Sequence, residues 1–114
     1  MSEELIFAKK IAEAALEKKA SSLSLYNLKG KSDLCDYQLV CSGESTRQAQ
    51  AIAGEIDRVA RKTLGRRPIA TEGMQSGQWI VLDFGSVMVH VFEAPVRSYY
   101  ALDQLWESAP LISI

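Results

Sequence analysis

The stretch WIVLDFGSVMVHVF, Trp79 to Phe92, reads as two short strands joined by a two-residue turn at Gly85-Ser86. Such a turn fixes the register. Phe84 then opposes Val87, Leu82 opposes Val89, and Ile80 opposes Val91. That face is wholly apolar, so it must lie against helices. On the other face Asp83 opposes Met88, Val81 opposes His90, and Trp79 opposes Phe92. This second face mixes large apolar groups with one acid and the only histidine of the chain. Turned to water alone, Trp79, Val81, Met88 and Phe92 would make an apolar patch of a kind monomers avoid. Either the carboxy-terminal segment covers it or a partner does.

Working outward, the chain alternates helix and strand signals. Leu5, Ala8, Ile11, Ala12, Ala15 and Leu16 recur at three and four residues, which predicts an amino-terminal helix. Ser2 is placed to cap it, and Glu3 and Glu4 suit the positive end of its dipole. SLSLYNL (Ser22 to Leu28) and DYQLVCS (Asp36 to Ser42) alternate as strands and form a hairpin across KGKSD. In the second strand Tyr37, Leu39 and Cys41 share one face, and Gln38, Val40 and Ser42 share the other. Gly43 breaks the strand. Ser45 followed by Gln48 is a capping box, and Ala49, Ile52, Ala53, Ile56, Val59 and Ala60 form one apolar stripe ending at Gly65. The segment GRRPIATEGMQSGQ is loop-like, with room for a short strand near Pro68 to Thr71. After the Trp79–Phe92 hairpin, Val96, Tyr99, Tyr100, Leu102, Leu105 and Trp106 return to helical spacing behind Pro95. The order α-β-β-α-β-β-α implies an α/β sandwich around a mixed sheet, with helices on at least one face.

Composition narrows the function classes. A chain of 114 residues supports one compact domain, and nothing in it marks a repeat or a linker. A net charge of -1 gives no global basic field for nucleic acid. No apolar run reaches membrane-spanning length, and MSEELIFAKK does not read as a secretory signal. The two cysteines, Cys35 and Cys41, match no zinc or redox spacing and are expected to be reduced, small buried groups in a cytoplasmic protein.

Catalysis finds little support. A metal-dependent nucleotidyl-transfer site needs two carboxylates alternating on one strand face, and Asp83 has Val81 and Gly85 at those positions. A Ser-His-Asp set from Ser42 or Ser45, His90 and Asp83 lacks a strained nucleophile turn, and Ser45 is better used as a cap. Cys41 with His90 would act only if the two met in space. Glu44 argues against an anion site at the start of the second helix. The expectation is therefore no enzyme activity, no cofactor and no metal. Arg58, Arg61, Lys62, Arg66 and Arg67 crowd the end of the second helix. They read as a solvated helix end complementing the dipole, or as a local phosphate-contacting patch of a protein that docks on a ribonucleoprotein.

Several segments, taken in order and spacing, resemble the ribosomal silencing factor family, also called RsfS or Iojap-like. They are Asp36-Tyr37, SGEST-RQ-AIA from Ser42 to Ala53, Glu72-Gly73, WIVLDFG from Trp79, VMVHVF from Val87, and RSYYALDQLW from Arg97. The resemblance covers almost the whole chain. It implies a single-domain α/β/α sandwich similar to the nucleotidyltransferase core without its catalytic acids. It also implies a cytoplasmic factor that binds the large ribosomal subunit through its fourteenth large-subunit protein and blocks joining of the small subunit. Translation is thereby repressed when nutrients are short. The organellar relatives are linked to large-subunit assembly, and that role is the alternative. A nucleotide-dependent enzyme is the more distant one.

On this reading the mixed face is a docking surface. Trp79 and Met88 are its apolar anchors, extended or backed by Tyr99, Tyr100 and Trp106. Asp83, His90 and Arg97 supply polar pairing and register, and Ser86 at the turn is counted in the same partner-binding surface. Arg58, Arg61, Lys62, Arg66 and Arg67 are candidates for peripheral ribosomal RNA contact. The free protein is expected as a monomer or homodimer, away from membranes. Ser86 stands where the family commonly has an acid, Gln38 where it has an aromatic, Tyr26 where it has an acid, and Asp103 where it has a glutamate. Ser86 weakens any electrostatic contact at the turn.

Overall fold

The computed structural model describes residues 2–31, 33, 35–96 and 109–114. Helix α1 spans Glu3–Glu17, and the Ser2 hydroxyl accepts from the Leu5 amide at 3.1 Å as its cap. Strands β1 (Ser21–Asn27) and β2 (Tyr37–Gly43) form the expected antiparallel hairpin. Helix α2 covers Thr46–Lys62. Its capping box forms with a small variation. Ser45 Oγ accepts from the Gln48 amide at 3.1 Å, while Gln48 Oε1 accepts from the amide of Glu44 rather than of Ser45. Gln48 Nε2 also donates to the carbonyls of Lys18 and Lys19, so one side chain ties the end of α1 to the start of α2.

The short strand in the loop region does form, as β3 (Ala70–Glu72), and brings the sheet of the described residues to five strands. Strands β4 (Trp79–Asp83) and β5 (Val87–Glu93) pair in the register fixed by the Gly85-Ser86 turn, with Trp79 opposite Phe92, Val81 opposite His90 and Asp83 opposite Met88. Gly85 supplies the positive φ, 87°, that the turn requires.

The sheet order is β1-β2-β5-β4-β3. Strands β2 and β5 run parallel, and the other pairs are antiparallel, so the sheet is mixed and the fold is α/β. All seven residues of β2 are buried, as expected of a central strand covered on both faces. Residues 94–96 are helical. The rest of the helix expected to form the third layer falls on residues 97–108, outside the described residues. Arg97, Tyr99, Tyr100 and Trp106 lie there too.

Two apolar clusters sandwich the sheet. The inner one joins Phe7, Ile11 and Ala15 of α1 and Ala49, Ile52 and Ile56 of α2 to Leu39, Ile80, Leu82, Val89 and Val91. Both helices thus lie on the face that the hairpin register left wholly apolar. Gly43 does more than end β2. A Cβ there would come within 2.7 Å of the Ala49 amide nitrogen, so glycine lets α2 leave the strand close to its own backbone. The outer cluster joins Tyr26, Leu28, Cys35, Val40, Phe92 and Ala109, with Trp79, Met88 and Val96 packed against it.

Candidate functional site

The outer face is assembled by strand register. Alternation puts Trp79, Val81 and Asp83 of β4 on one side with Met88, His90 and Phe92 of β5. The parallel β2–β5 ladder then sets Gln38 beside Met88 and Val40 beside His90. Hairpin reasoning gives the first set. The second depends on a pairing between strands far apart in sequence.

Trp79 and His90 form the centre of this face. The Trp79 indole Nε1–H donates to His90 Nδ1 at 3.0 Å. The indole also stacks on Phe92, with centroids 5.1 Å apart and planes inclined by 22°. Phe92 is fully buried, so it belongs to the core and not to the exposed part of the patch. His90 is 7% exposed, and burial pulls its pKa down to about 4. The imidazole is therefore neutral at pH 7. Because Nδ1 accepts, hydrogen-bond logic places the ring proton on Nε2. Nε2 and the Gln38 side-chain oxygen are both buried, with no hydrogen-bond partner among the described residues. Gln38 Nε2 donates to Cys35 Sγ at 3.9 Å, and burial raises the pKa of that thiol.

Asp83 acts within its own turn. Its Oδ1 accepts from the Gly85 amide at 2.8 Å, an Asx turn that holds the hairpin tip. The positions opposite Asp83 on the neighbouring strands are Met88 and Ala70, and neither is an acid. The backbone of Ser86 also works structurally, since its carbonyl accepts from the amides of Asp36 and Tyr37 and pins the start of β2. Among the described residues, no three His, Cys, Asp or Glu side chains gather so as to hold a metal ion.

The hydrolase-like sets do not assemble. Ser45 Oγ caps α2, His90 Nδ1 is taken by Trp79, and Asp83 is turned to Gly85. Cys41 belongs to the inner cluster and His90 points to the outer face, so the sheet separates them.

The basic cluster is largely paired. Arg58 makes a bidentate bond to Glu55 at 2.9 and 2.8 Å, and Arg61 meets Asp57 at 2.8 Å. Arg66 reaches back to Glu4 at 2.8 Å, donates to the Phe84 carbonyl and lies 4.0 Å over the Phe7 ring. It locks the α2 exit to α1 and to the hairpin. Lys62 and Arg67 are exposed.

Sequence reasoning missed two contributors here: Gln38, 6% exposed beside Met88, and Glu4 as the partner of Arg66. Nothing local announces either. The Asp83 turn was legible in retrospect from Asp-Phe-Gly, an aspartate two residues before a glycine.

The fold and its two faces define the class: a small α/β domain with a mixed sheet, helices on one side and a polar–aromatic field on the other. Comparison with known proteins gives the family. A family model described as "ribosomal silencing factor during starvation" matches residues 2–114. The chain is 42% identical over 106 residues to the ribosomal silencing factor of Bacillus subtilis, covering 92% of this chain and 89% of that protein. It is 40% identical over 98 residues to that of Halalkalibacterium halodurans, covering 86% and 83%. A crystal structure of a Chromobacterium violaceum protein superposes with a TM-score of 0.87 at 31% identity, over 93% of this chain and 88% of that one. The chain belongs to the ribosomal silencing factor family.

Proposed function

We propose that this chain binds the large ribosomal subunit, through its fourteenth large-subunit protein, and represses translation by keeping the small subunit from joining. Family membership supports the ribosomal role, and the family's description ties it to starvation. The observation that carries the docking surface is the composition of the outer sheet face. Trp79, Val81, Asp83 and Met88 are half-buried there, on a rigid sheet rather than on loops. A fixed aromatic and a methionine side by side suit a protein partner, because they present apolar area at little entropic cost.

The roles divide as follows. Trp79 and Met88 are the anchors. His90 orients Trp79 from beneath, and Asp83 and Ser86 shape the adjoining turn. Arg97, Tyr99, Tyr100 and Trp106 are proposed to contact the same partner. Lys62 and Arg67 are the best candidates for peripheral contact with ribosomal RNA, since Arg58, Arg61 and Arg66 have carboxylate partners. The mechanism is steric occupancy, so the protein acts in the cytoplasm without catalysis or cofactor. Free, it is a monomer or homodimer.

The test is co-sedimentation with separated ribosomal subunits, wild type beside Met88→Ala and Trp79→Ala, each checked for folding by circular dichroism. Wild type should travel with the large subunit only, and both folded variants should lose it. Wild type that travels with neither subunit refutes the proposal. Undiminished binding by both variants would move the docking surface away from this face.

A further inference from the structure

A sheet of this kind has two edges, and an open edge invites pairing with another chain. The β3 edge is only three residues long, with Pro68 just before it and Gly73 at φ 79° just after. The first half of β1 is blunted by an irregularity between Ser21 and Ser24, where Ser22 has φ 49°. The second half of β1, Leu25 to Asn27, is regular. It turns the Asn27 N–H and the Leu25 carbonyl outward, and there the closing residues of the chain meet it.

The Asn27 amide donates to the Pro110 carbonyl at 2.9 Å, and the Ile112 amide donates to the Leu25 carbonyl at 2.8 Å. Leu111 forms an antiparallel bridge with Tyr26. Ala109 on one side is buried in the outer cluster, and Ile112 on the other packs against the inner one. Residues 109–112 therefore straddle the sheet edge like a very short sixth strand. The side chain between these anchors, Leu111, is 65% exposed, so backbone pairing and two small apolar contacts hold the segment in place.

We infer that residues 110–112 are a built-in blocking strand, which keeps the regular half of β1 from pairing edge to edge with a second copy of this chain. A second copy is the occupant the edge fits, because the edge already accepts an antiparallel segment of this very sequence. The inference rests on the backbone pairing of residues 110–112 with β1 and not on any ribosomal contact, so it stands independently of the ribosomal reading.

The experiment compares the unaltered chain with Ile112→Pro, which removes the N–H that Leu25 accepts. Residue-resolved amide exchange and sedimentation velocity are measured on both. In wild type the Asn27 amide should be protected. In the variant it should exchange on the order of tenfold faster or more, with the Leu28 amide, which donates to Asp36, unchanged. The variant should also form a concentration-dependent species larger than any the wild type forms. An unprotected Asn27 in wild type overturns the docked segment. A released Asn27 with unchanged sedimentation overturns its blocking role. Should the proline variant fail to fold, Ile112→Ala keeps the N–H, trims the apolar anchor and is judged by the same two readouts.

Discussion

Lowering the pH should destabilise this protein through His90, and the size of the effect follows from its surroundings. The imidazole is buried against Trp79 and Phe92, and burial takes its pKa from 6.5 to about 4. Between those values the unfolded chain holds a proton that the folded one excludes. The contribution is therefore fully present above pH 6.5 and is lost as pH falls toward 4. The loss is about 2 kcal/mol by pH 5 and about 3 kcal/mol by pH 4, a large share of a small domain's stability. Protonation would also remove the lone pair that the Trp79 indole N–H is donated to. Urea denaturation at several pH values between 7 and 4.5, on wild type and His90→Gln, isolates the effect, because the carboxylates titrate alike in both. Wild type should lose about 2 kcal/mol more than the variant between pH 7 and 5. Since the chain has one histidine, the NMR titration of that ring is unambiguous. Parallel stability profiles, or a ring titrating near 6.5, would refute the reasoning.

Three further substitutions probe the same architecture, each read by urea denaturation. Trp79→Phe keeps an aromatic ring on Phe92 but leaves His90 Nδ1 without its donor, and should cost about 1–3 kcal/mol. Gly73→Ala should be more damaging, at about 2 kcal/mol or more, since φ is 79° and a Cβ would meet the Trp79 carbonyl oxygen at 2.0 Å. Ser45→Ala removes the cap of α2 and should cost about 1 kcal/mol without changing the spectrum of the folded state.

The division between sequence and structure is visible in particular residues. The Ser2 and Ser45 caps, the α2 stripe and the register of the Trp79–Phe92 hairpin were all readable, because each depends on residues within a few positions of one another. Asp83 was readable as an acid without a second carboxylate, but its engagement with Gly85 was not read, although the turn chemistry was local. The Trp79–His90 bond stood one step further off. The register put Trp79 opposite Phe92 and Val81 opposite His90, so the bond runs diagonally between neighbouring pairs, and only side-chain direction decides it. The basic cluster was legible as a cluster and not as a set of ion pairs. Arg58 and Arg61 meet their acids three and four residues away, but Arg66 meets Glu4 across 62 positions.

By itself, then, the sequence determined helices α1 and α2, the two hairpins, the apolar inner face and, through its resemblance, the ribosomal silencing factor family. These rest on short-range periodicity, capping and turn chemistry, which act within a few residues. Tertiary structure alone decided that β2 lies parallel to β5, which brings Gln38 beside Met88 and buries it near His90. It also decided that Glu4 neutralises Arg66, and that residues 110–112 close the edge of β1. Each of these joins segments far apart along the chain, a separation that carries no periodic signal, so only the packed tertiary arrangement brings them together.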